Sequence, residues 1–267
     1  MNDPVYNQYS LDTLCAALAQ AMGIEKPAQA AAPNPLLTAV VQNAGIRTVD
    51  RILMYNPDAI ALWLYQKYTD FYLPVLKHTS IALPLASVMP SVTPVCFGTM
   101  YTGAQPQIHG IRSYTKPVIR IDTLFDALIR AGKRPAIVST AGDSLSVIFL
   151  EREMDYYIYD TVDEVNAKAL ELIEADEYDF IVVYNANYDA TMHRNAPEGE
   201  ASLRALSDNM QTFDRLAEAV KTHWRGHKTL IGFAPDHGCH EIDGGLGSHG
   251  LDMPEDLNIL HFYGILP

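Results

Sequence analysis

Short apolar runs alternate with amphipathic segments along most of this chain. Runs of this length that are rich in Val, Ile and aromatic residues predict buried strands. Seven segments contain one: RTVDRILMYN, HTSIALPL, RPAIVST, DYYIYD, YDFIVVYN, KTLIGFAP and NILHFYG. Helical patterns lie between several of them, such as IDTLFDALIRAGK, which Gly132 ends, and TVDEVNAKALELIEADE, for which Thr161 is the predicted N-cap. This alternation predicts an α/β fold in which helices cover both faces of a mainly parallel sheet, giving three layers.

The first fifty residues follow a different pattern. We predict one helix over about residues 11–22 and a second that begins near Pro35, with the linker-like EKPAQAAAPNP between them. We therefore expect residues 1–50 to form a helical extension packed on the core and residues 51–267 to form the α/β catalytic domain. Packing of the extension against a partner chain is the alternative, and the oligomeric state stays open.

Composition and charge indicate a globular protein and bear on the partners that it could bind. Of the 267 residues, 48% are hydrophobic and 19% are charged, as in a globular protein. The net charge of −13 argues against a nucleic-acid polymer as partner, whereas a metal ion could still attract a small phosphorylated substrate. Three cysteines, no basic n-region and no apolar run of membrane-spanning length predict a cytoplasmic protein without a membrane partner.

Acidic and histidine residues follow three of the predicted strands. Asp58 comes after RILMYN, Asp189 and His193 come after DFIVVYN, and Asp236-His237 comes after LIGFAP. Ligands of open α/β sheets bind beyond the carboxyl ends of the strands. Carboxylate and imidazole groups there are the ligands expected of a catalytic zinc or manganese ion.

Simpler explanations exist for each residue taken alone. Asp58 could cap the helix that follows it, and Thr93, which precedes a proline, could do the same. Asp189 and His193 are four residues apart, a spacing that a surface ion pair explains equally well.

The glycine-rich segment APDHGCHEIDGGLGSHG, residues 234–250, allows the same two interpretations. Asp236-His237-Gly could form an ordinary turn, and His249 could be a solvated loop histidine. The candidates are nonetheless collected at the ends of strands of one predicted sheet, which favours a shared site.

The order of these residues resembles that of the alkaline phosphatase superfamily, and within it the type I phosphodiesterase/nucleotide pyrophosphatase branch. The similarity extends from about Arg51 to the C-terminus and is greatest in TPVCFGTMYTGAQPQIHGI and in PDHG…SHG. It implies an alkaline phosphatase-like α/β/α sandwich with two divalent metal ions, of which zinc is the first expectation and manganese the second. One ion would be held by Asp189, His193 and His249, and the other by Asp58, Asp236, His237 and the Thr93 oxygen.

The resemblance also implies a reaction. Thr93 would be the nucleophile and would become phosphorylated during hydrolysis of a phosphodiester or pyrophosphate bond. The alternatives are another reaction of the superfamily, such as that of phosphonoacetate hydrolase, and a metal-binding protein that has lost catalysis. Two departures bear on these alternatives: Ala59 follows the first acid where the family usually has glycine, and Cys96 stands where the phosphodiesterases commonly have asparagine.

A helix that begins at Thr93 would add a phosphate-binding element. The backbone amides of Val95 and Cys96 are expected to point toward the substrate phosphate, since the N-terminus of a helix favours negative charge. Pro94 has no N–H to contribute.

Overall fold

A computed structural model of the chain describes residues 5–266, and all seven predicted strands are present in one sheet. A separate two-stranded hairpin, β7–β8, lies within the glycine-rich segment. The strands are β1 (Arg51–Pro57), β2 (Ile81–Ala86), β3 (Pro135–Thr140), β4 (Asp155–Tyr159), β5 (Phe180–Asn185), β6 (Thr229–Phe233), β7 (His240–Ile242), β8 (Leu246–Ser248) and β9 (Asn258–Leu266).

The large sheet has the order β2-β9-β6-β1-β5-β3-β4. β1 pairs in parallel with β5 and β6, and β3 pairs in parallel with β4 and β5. β9 runs antiparallel to both of its neighbours. The prediction of a mainly parallel sheet is confirmed, and the carboxyl ends of β1, β5 and β6 therefore lie side by side at one edge.

Helices cover both faces of this sheet. They are α1 (Thr13–Ala21), α2 (Pro35–Asn43), α3 (Leu62–Lys67), α4 (Leu73–Leu76), α5 (Thr93–Thr102), α6 (Pro106–His109), α7 (Leu124–Arg130), α8 (Ser144–Ile148), α9 (Val162–Ala175), α10 (Asn187–Asn195), α11 (Glu200–His223) and α12 (Pro254–Leu257), with a short 3₁₀ helix at Thr69–Tyr72. Met54 of β1 packs in the core under α1 and α5, whereas its neighbour Tyr55 packs in the core under α9 and α11. Two cores on opposite faces confirm the three-layer α/β/α fold.

The local signals of the helices are largely confirmed. α2 begins at Pro35 as predicted, with Asn34 as its N-cap, and α1 is shorter than predicted by two residues at its start and one at its end. Thr161 caps α9 in a capping box with Glu164. The backbone of Tyr9 and Leu11 bonds to Ala86 of β2, so the N-terminal segment meets the sheet directly. The division of the chain at residue 50 stays a prediction.

The hairpin β7–β8 is an element that the sequence patterns did not predict. Each strand has three residues, too few to show an alternating pattern, and the glycines at 244 and 245 form its turn with positive φ. Across residues 5–266, no helix is both apolar enough and long enough to span a bilayer.

Candidate active site

Asp58, Asp236 and His237 meet where β1 and β6 end, and we call them the inner cluster. His237 Nε2 lies 3.3 Å from Asp58 Oδ1 and 3.4 Å from Asp236 Oδ2. At most 1% of any of the three residues is exposed. β1 and β6 are neighbours in register, which brings residues far apart in sequence into one group.

Asp189, His193 and His249 form a second group, the outer cluster. α10 holds the first two on one face, and His193 Nε2 lies 3.2 Å from Asp189 Oδ1. His249, just after β8, places its Nε2 3.2 Å from His193 Nε2 and 3.3 Å from Asp189 Oδ1. All three residues are partly exposed.

The two clusters are in contact. The rings of His237 and His249 stack with centroids 4.1 Å apart and an interplanar angle of 26°. The structure therefore brings all six predicted carboxylate and imidazole ligands together at one edge of the sheet, on the side where the strands end.

Thr93 is the first residue of α5 and faces the inner cluster. Its hydroxyl donates to Asp58 Oδ2 at 3.2 Å and lies 3.4 Å from His237 Nε2. Capping does not explain this placement, because Val92 is the N-cap of α5 and no side chain caps the helix. Capping does not explain Asp58 either, since Ala61 is the N-cap of α3.

The amides of Val95 and Cys96 are already engaged. Both donate to the Val92 carbonyl, at 3.0 and 3.1 Å, within the first turn of α5. That they face the substrate stays a prediction, and these bonds inside the helix weigh against it. The Cys96 thiol is also turned to the protein interior, where its Sγ lies 3.1 Å from Ser87 Oγ.

Ala59 adopts the backbone conformation that glycine would favour. Its φ is 63°, in the left-handed region, and its amide lies in hydrogen-bond contact with Asp236 Oδ1 at 3.3 Å. The departure from Asp-Gly therefore preserves the turn after β1, at the cost of placing a side chain in a region that L-residues disfavour.

Backbone carbonyls fix the three imidazoles. The Nδ1 atoms of His193, His237 and His249 each lie 2.9 Å from a carbonyl oxygen, those of Gly247, Gly238 and Ser91 respectively. A carbonyl can only accept, so each Nδ1 donates and each Nε2 is left for the cluster. Sequence reasoning missed these partners, because any residue can supply a carbonyl.

Tyr184 was also missed. It is the penultimate residue of β5, and its hydroxyl donates to Asp58 Oδ2. Its position in the sequence could have indicated it, because Tyr184 lies at the carboxyl end of the strand that precedes Asp189. Side chains at the carboxyl ends of the strands line the ligand site of an open α/β sheet, and this applies to a tyrosine hydroxyl as well.

Burial sets the protonation of the inner cluster. Burial, followed by the charge of Asp189, raises the pKa of Asp58 to about 7. Burial and the charge of Asp58 raise the pKa of Asp236 above its usual value. Burial lowers the pKa of His237 to about 3. Without a cation this cluster therefore favours neutral groups.

Ion pairing sets the protonation of the outer cluster. Burial opposes ionisation of Asp189, but hydrogen bonds from His193 and His249 hold its pKa below its usual value. The hydrogen bond with Asp189 raises the pKa of His193. Burial acts against the charged form of His249, yet Asp189 raises its pKa overall.

Whether metal ions fit this site can be judged from its buried carboxylate oxygens, since an oxygen that receives no hydrogen bond is free to bind a cation. Asp58 Oδ1 and Asp236 Oδ2 are buried and receive no hydrogen bond within the described residues, whereas Asp189 Oδ1 has the imidazole nitrogens of His193 and His249 beside it. Buried acceptors are normally satisfied, so two unpaired carboxylate oxygens in the inner cluster call for a cation. In each cluster one donor atom per residue lies within 4.8 Å of the others. The oxygen and imidazole donors fit divalent ions such as zinc or manganese.

A third group of potential ligands does not share this property. His78, Asp214 and Glu218 each offer one ligand atom, and these atoms also lie within 4.8 Å of one another. However, Lys77 Nζ lies 3.2 Å from Asp214 and 3.0 Å from Glu218, so a lysine already supplies the positive charge.

Comparison with known proteins identifies the fold. No family model and no curated protein matches the chain. Among solved structures, human ectonucleotide pyrophosphatase/phosphodiesterase 5 matches with a TM-score of 0.59 and 16% identity, over 72% of this chain and 58% of its own. The chain has the alkaline phosphatase fold.

Two further structures with this fold are similar to the chain. Phosphonoacetate hydrolase from Sinorhizobium meliloti 1021 matches with a TM-score of 0.56 and 17% identity, over 74% of this chain and 59% of its own. The C-terminal periplasmic domain of a phosphoethanolamine transferase from Campylobacter jejuni matches with a TM-score of 0.57 and 14% identity, over 81% and 80%. The chain thus spans less than two thirds of the first two proteins.

Proposed function

We propose that the chain is a metal-dependent hydrolase of phosphate esters that cleaves a phosphodiester or pyrophosphate bond with Thr93 as nucleophile. The observation that carries the proposal is the position of the Thr93 hydroxyl, at the start of α5 and in contact with Asp58 and His237. A threonine that neither caps its helix nor lies on the surface is well placed for nucleophilic catalysis.

The inner cluster together with the Thr93 oxygen would hold one divalent ion, and the outer cluster would hold the other. Bound there, the ions would supply Lewis-acid chemistry, polarising phosphoryl oxygens and lowering the pKa of a coordinated hydroxyl. Zinc is the first candidate, because its affinity for such ligands exceeds that of manganese.

The protein groups then have defined tasks. The Thr93 hydroxyl hydrogen points at Asp58 Oδ2, which leaves an oxygen lone pair free to attack phosphorus. As the Thr93 O–P bond forms, the Thr93 O–H bond and the bond to the leaving group break, and the proton released is taken up, in net, by the leaving alcohol or phosphate. Water then attacks the phospho-threonine, which releases the second product and restores the hydroxyl.

The similar structures support this chemistry and supply the second candidate. One is named a pyrophosphatase/phosphodiesterase and another a phosphonoacetate hydrolase, with TM-scores that differ by only 0.03. Cleavage of a P–C bond is therefore the alternative for this chain. Cys96 stands where the phosphodiesterases commonly have asparagine, and its thiol faces Ser87. The side-chain amide that an asparagine would offer to the phosphate is therefore missing, and both reactions stay open.

We further propose a small phosphorylated substrate and a cytoplasmic location. The net charge of −13 argues against a nucleic-acid polymer, and the three buried cysteines are free, as is usual in a reducing compartment.

Activity measurements on zinc-loaded protein test the proposal. We expect hydrolysis of bis(p-nitrophenyl) phosphate or of a dinucleoside pyrophosphate, loss of turnover in Thr93→Ala, and partial activity in Thr93→Ser, which keeps a hydroxyl. Unchanged turnover in Thr93→Ala would contradict the role of Thr93. Release of phosphate from phosphonoacetate alone would favour the second candidate, and an absence of turnover on all of these would indicate a binding protein.

A further inference from the structure

Tyr184 lies under the inner cluster, on the sheet face that α5 covers. The register pairs it with Asn56 of β1, two residues before Asp58. Only 2% of Tyr184 is exposed, and the Phe97 ring packs against it edge to face with centroids 5.5 Å apart. The ring is therefore held in place by packing from both the sheet and the helix.

The tyrosine hydroxyl acts on one oxygen of Asp58. Asp58 Oδ2 accepts from Tyr184 and also from the Thr93 hydroxyl, the latter at 3.2 Å. Oδ1 receives no donor from the described residues and lies 3.3 Å from His237 Nε2. Two donors on one oxygen restrict rotation of the carboxylate, and the other oxygen is thereby aimed into the inner cluster.

We propose that Tyr184 is a positioning residue that orients Asp58 as a ligand of the inner-cluster ion. The inference rests on the proposed function, because it requires Asp58 to bind metal. Hydrogen bonds to the ligands of a metal commonly change its affinity by about 10- to 100-fold. A tyrosine hydroxyl carries its proton at neutral pH, so Tyr184 is available as a donor to Asp58.

Zinc titration of metal-free protein against a chelator of known affinity tests the role of Tyr184. The titration is best made with His193→Ala in the background, because loss of an outer ligand leaves the inner site to be measured alone. We expect Tyr184→Phe, which removes the hydroxyl and keeps the ring, to weaken inner-site binding about 10- to 100-fold. In protein with both clusters intact, the affinity of the outer site should not change.

Tyr188→Phe is the matched control. Tyr188 is also fully buried, but its hydroxyl donates to the Pro197 carbonyl at 3.1 Å and not to a cluster residue. Its loss should lower the melting temperature and leave both zinc affinities unchanged, which separates positioning from general stability.

The outcomes distinguish the inference from the function on which it rests. Two ions in the parent protein and equal inner-site affinity in Tyr184→Phe would overturn the positioning role alone. No zinc binding by the parent protein would overturn the proposed function and the inference with it. If Tyr184→Phe does not fold, Phe97→Leu keeps the hydroxyl but loosens the ring, and it should weaken the inner site a few-fold; unchanged affinity there would overturn the inference.

Discussion

The inner and outer clusters are built from the same two residue types but hold their protons differently. The inner cluster has two aspartates and one histidine and is shielded from solvent, so burial raises the pKa values of its acids and lowers that of His237. The outer cluster has one aspartate and two histidines, and mutual pairing lowers the pKa of Asp189 and raises those of His193 and His249. The outer cluster can therefore neutralise itself without metal, whereas the inner one depends on protons or a cation.

This difference assigns different tasks to the two sites. A buried cluster that lacks internal charge balance should bind its ion most tightly and hold the nucleophile, since Thr93 contacts only this cluster. The partly exposed outer cluster, with an ion pair of its own, should lose its ion more readily. The predictions below test this contrast.

Loss of a ligand should be far more damaging in the inner cluster. We expect Asp236→Asn to lower kcat/KM by about 10⁴-fold, since it disables the centre that activates the nucleophile. His193→Ala should lower kcat/KM much less than Asp236→Asn does, and excess zinc should partly restore its activity. Both values come from steady-state kinetics on bis(p-nitrophenyl) phosphate. Equal losses would show that the clusters do not divide the work in this way.

Removing a charge should have opposite effects on the metal-free protein. At pH 8 we expect Asp58→Asn to stabilise it by about 1–2 kcal/mol, because a buried like-charge contact is lost. Asp189→Asn should destabilise it by about 1 kcal/mol, because two partly exposed histidines lose their partner. Chemical denaturation in the presence of a chelator measures both. A destabilised Asp58→Asn protein would contradict the electrostatic account of the inner cluster.

The pH dependence of the metal-free protein should follow from the same charges. Groups whose pKa is raised by folding stabilise the fold while protonated and lose that contribution as pH rises through the folded pKa. Asp58, with a pKa of about 7, and His193 and His249, raised above 6.5, therefore all act in one direction. We expect the melting temperature of chelator-treated protein to fall between pH 6.5 and 8.5.

Zinc-loaded protein is the control for that measurement. Bound cations would replace the protons on these ligands, so its melting temperature should change little over the same interval. A parallel decline in the two forms would place the titrating groups outside the clusters.

The sequence predicted the side chains of this site better than their immediate partners. Asp58, Asp189 and Asp236 could be found because each follows an apolar strand, and a parallel sheet brings such positions to one edge. The bonds of the Val95 and Cys96 amides to Val92 were not foreseen, because a sequence does not tell which amides of a first helical turn remain free. The carbonyls that orient the histidines cannot be found from the sequence, because every residue has one. The contact of Tyr184 with Asp58 can be inferred only once the β1–β5 register is known.

Substitution of Ala59 should have the smallest effect, because it mainly changes the backbone strain of the turn beside the inner cluster. Its φ of 63° should cost an L-residue about 1–2 kcal/mol, a strain that glycine would relieve. Ala59→Gly also loses a buried methyl and gains freedom in the unfolded chain, so we expect a net change within about 0.5 kcal/mol. Ala61 is equally buried, but its φ is −73°, so its backbone has no strain for glycine to relieve. Ala61→Gly loses a buried methyl and gains freedom in the unfolded chain, and we expect it to be destabilised by about 1–2 kcal/mol. Equal destabilisation of the two variants in chemical denaturation would show that the turn after β1 is unstrained.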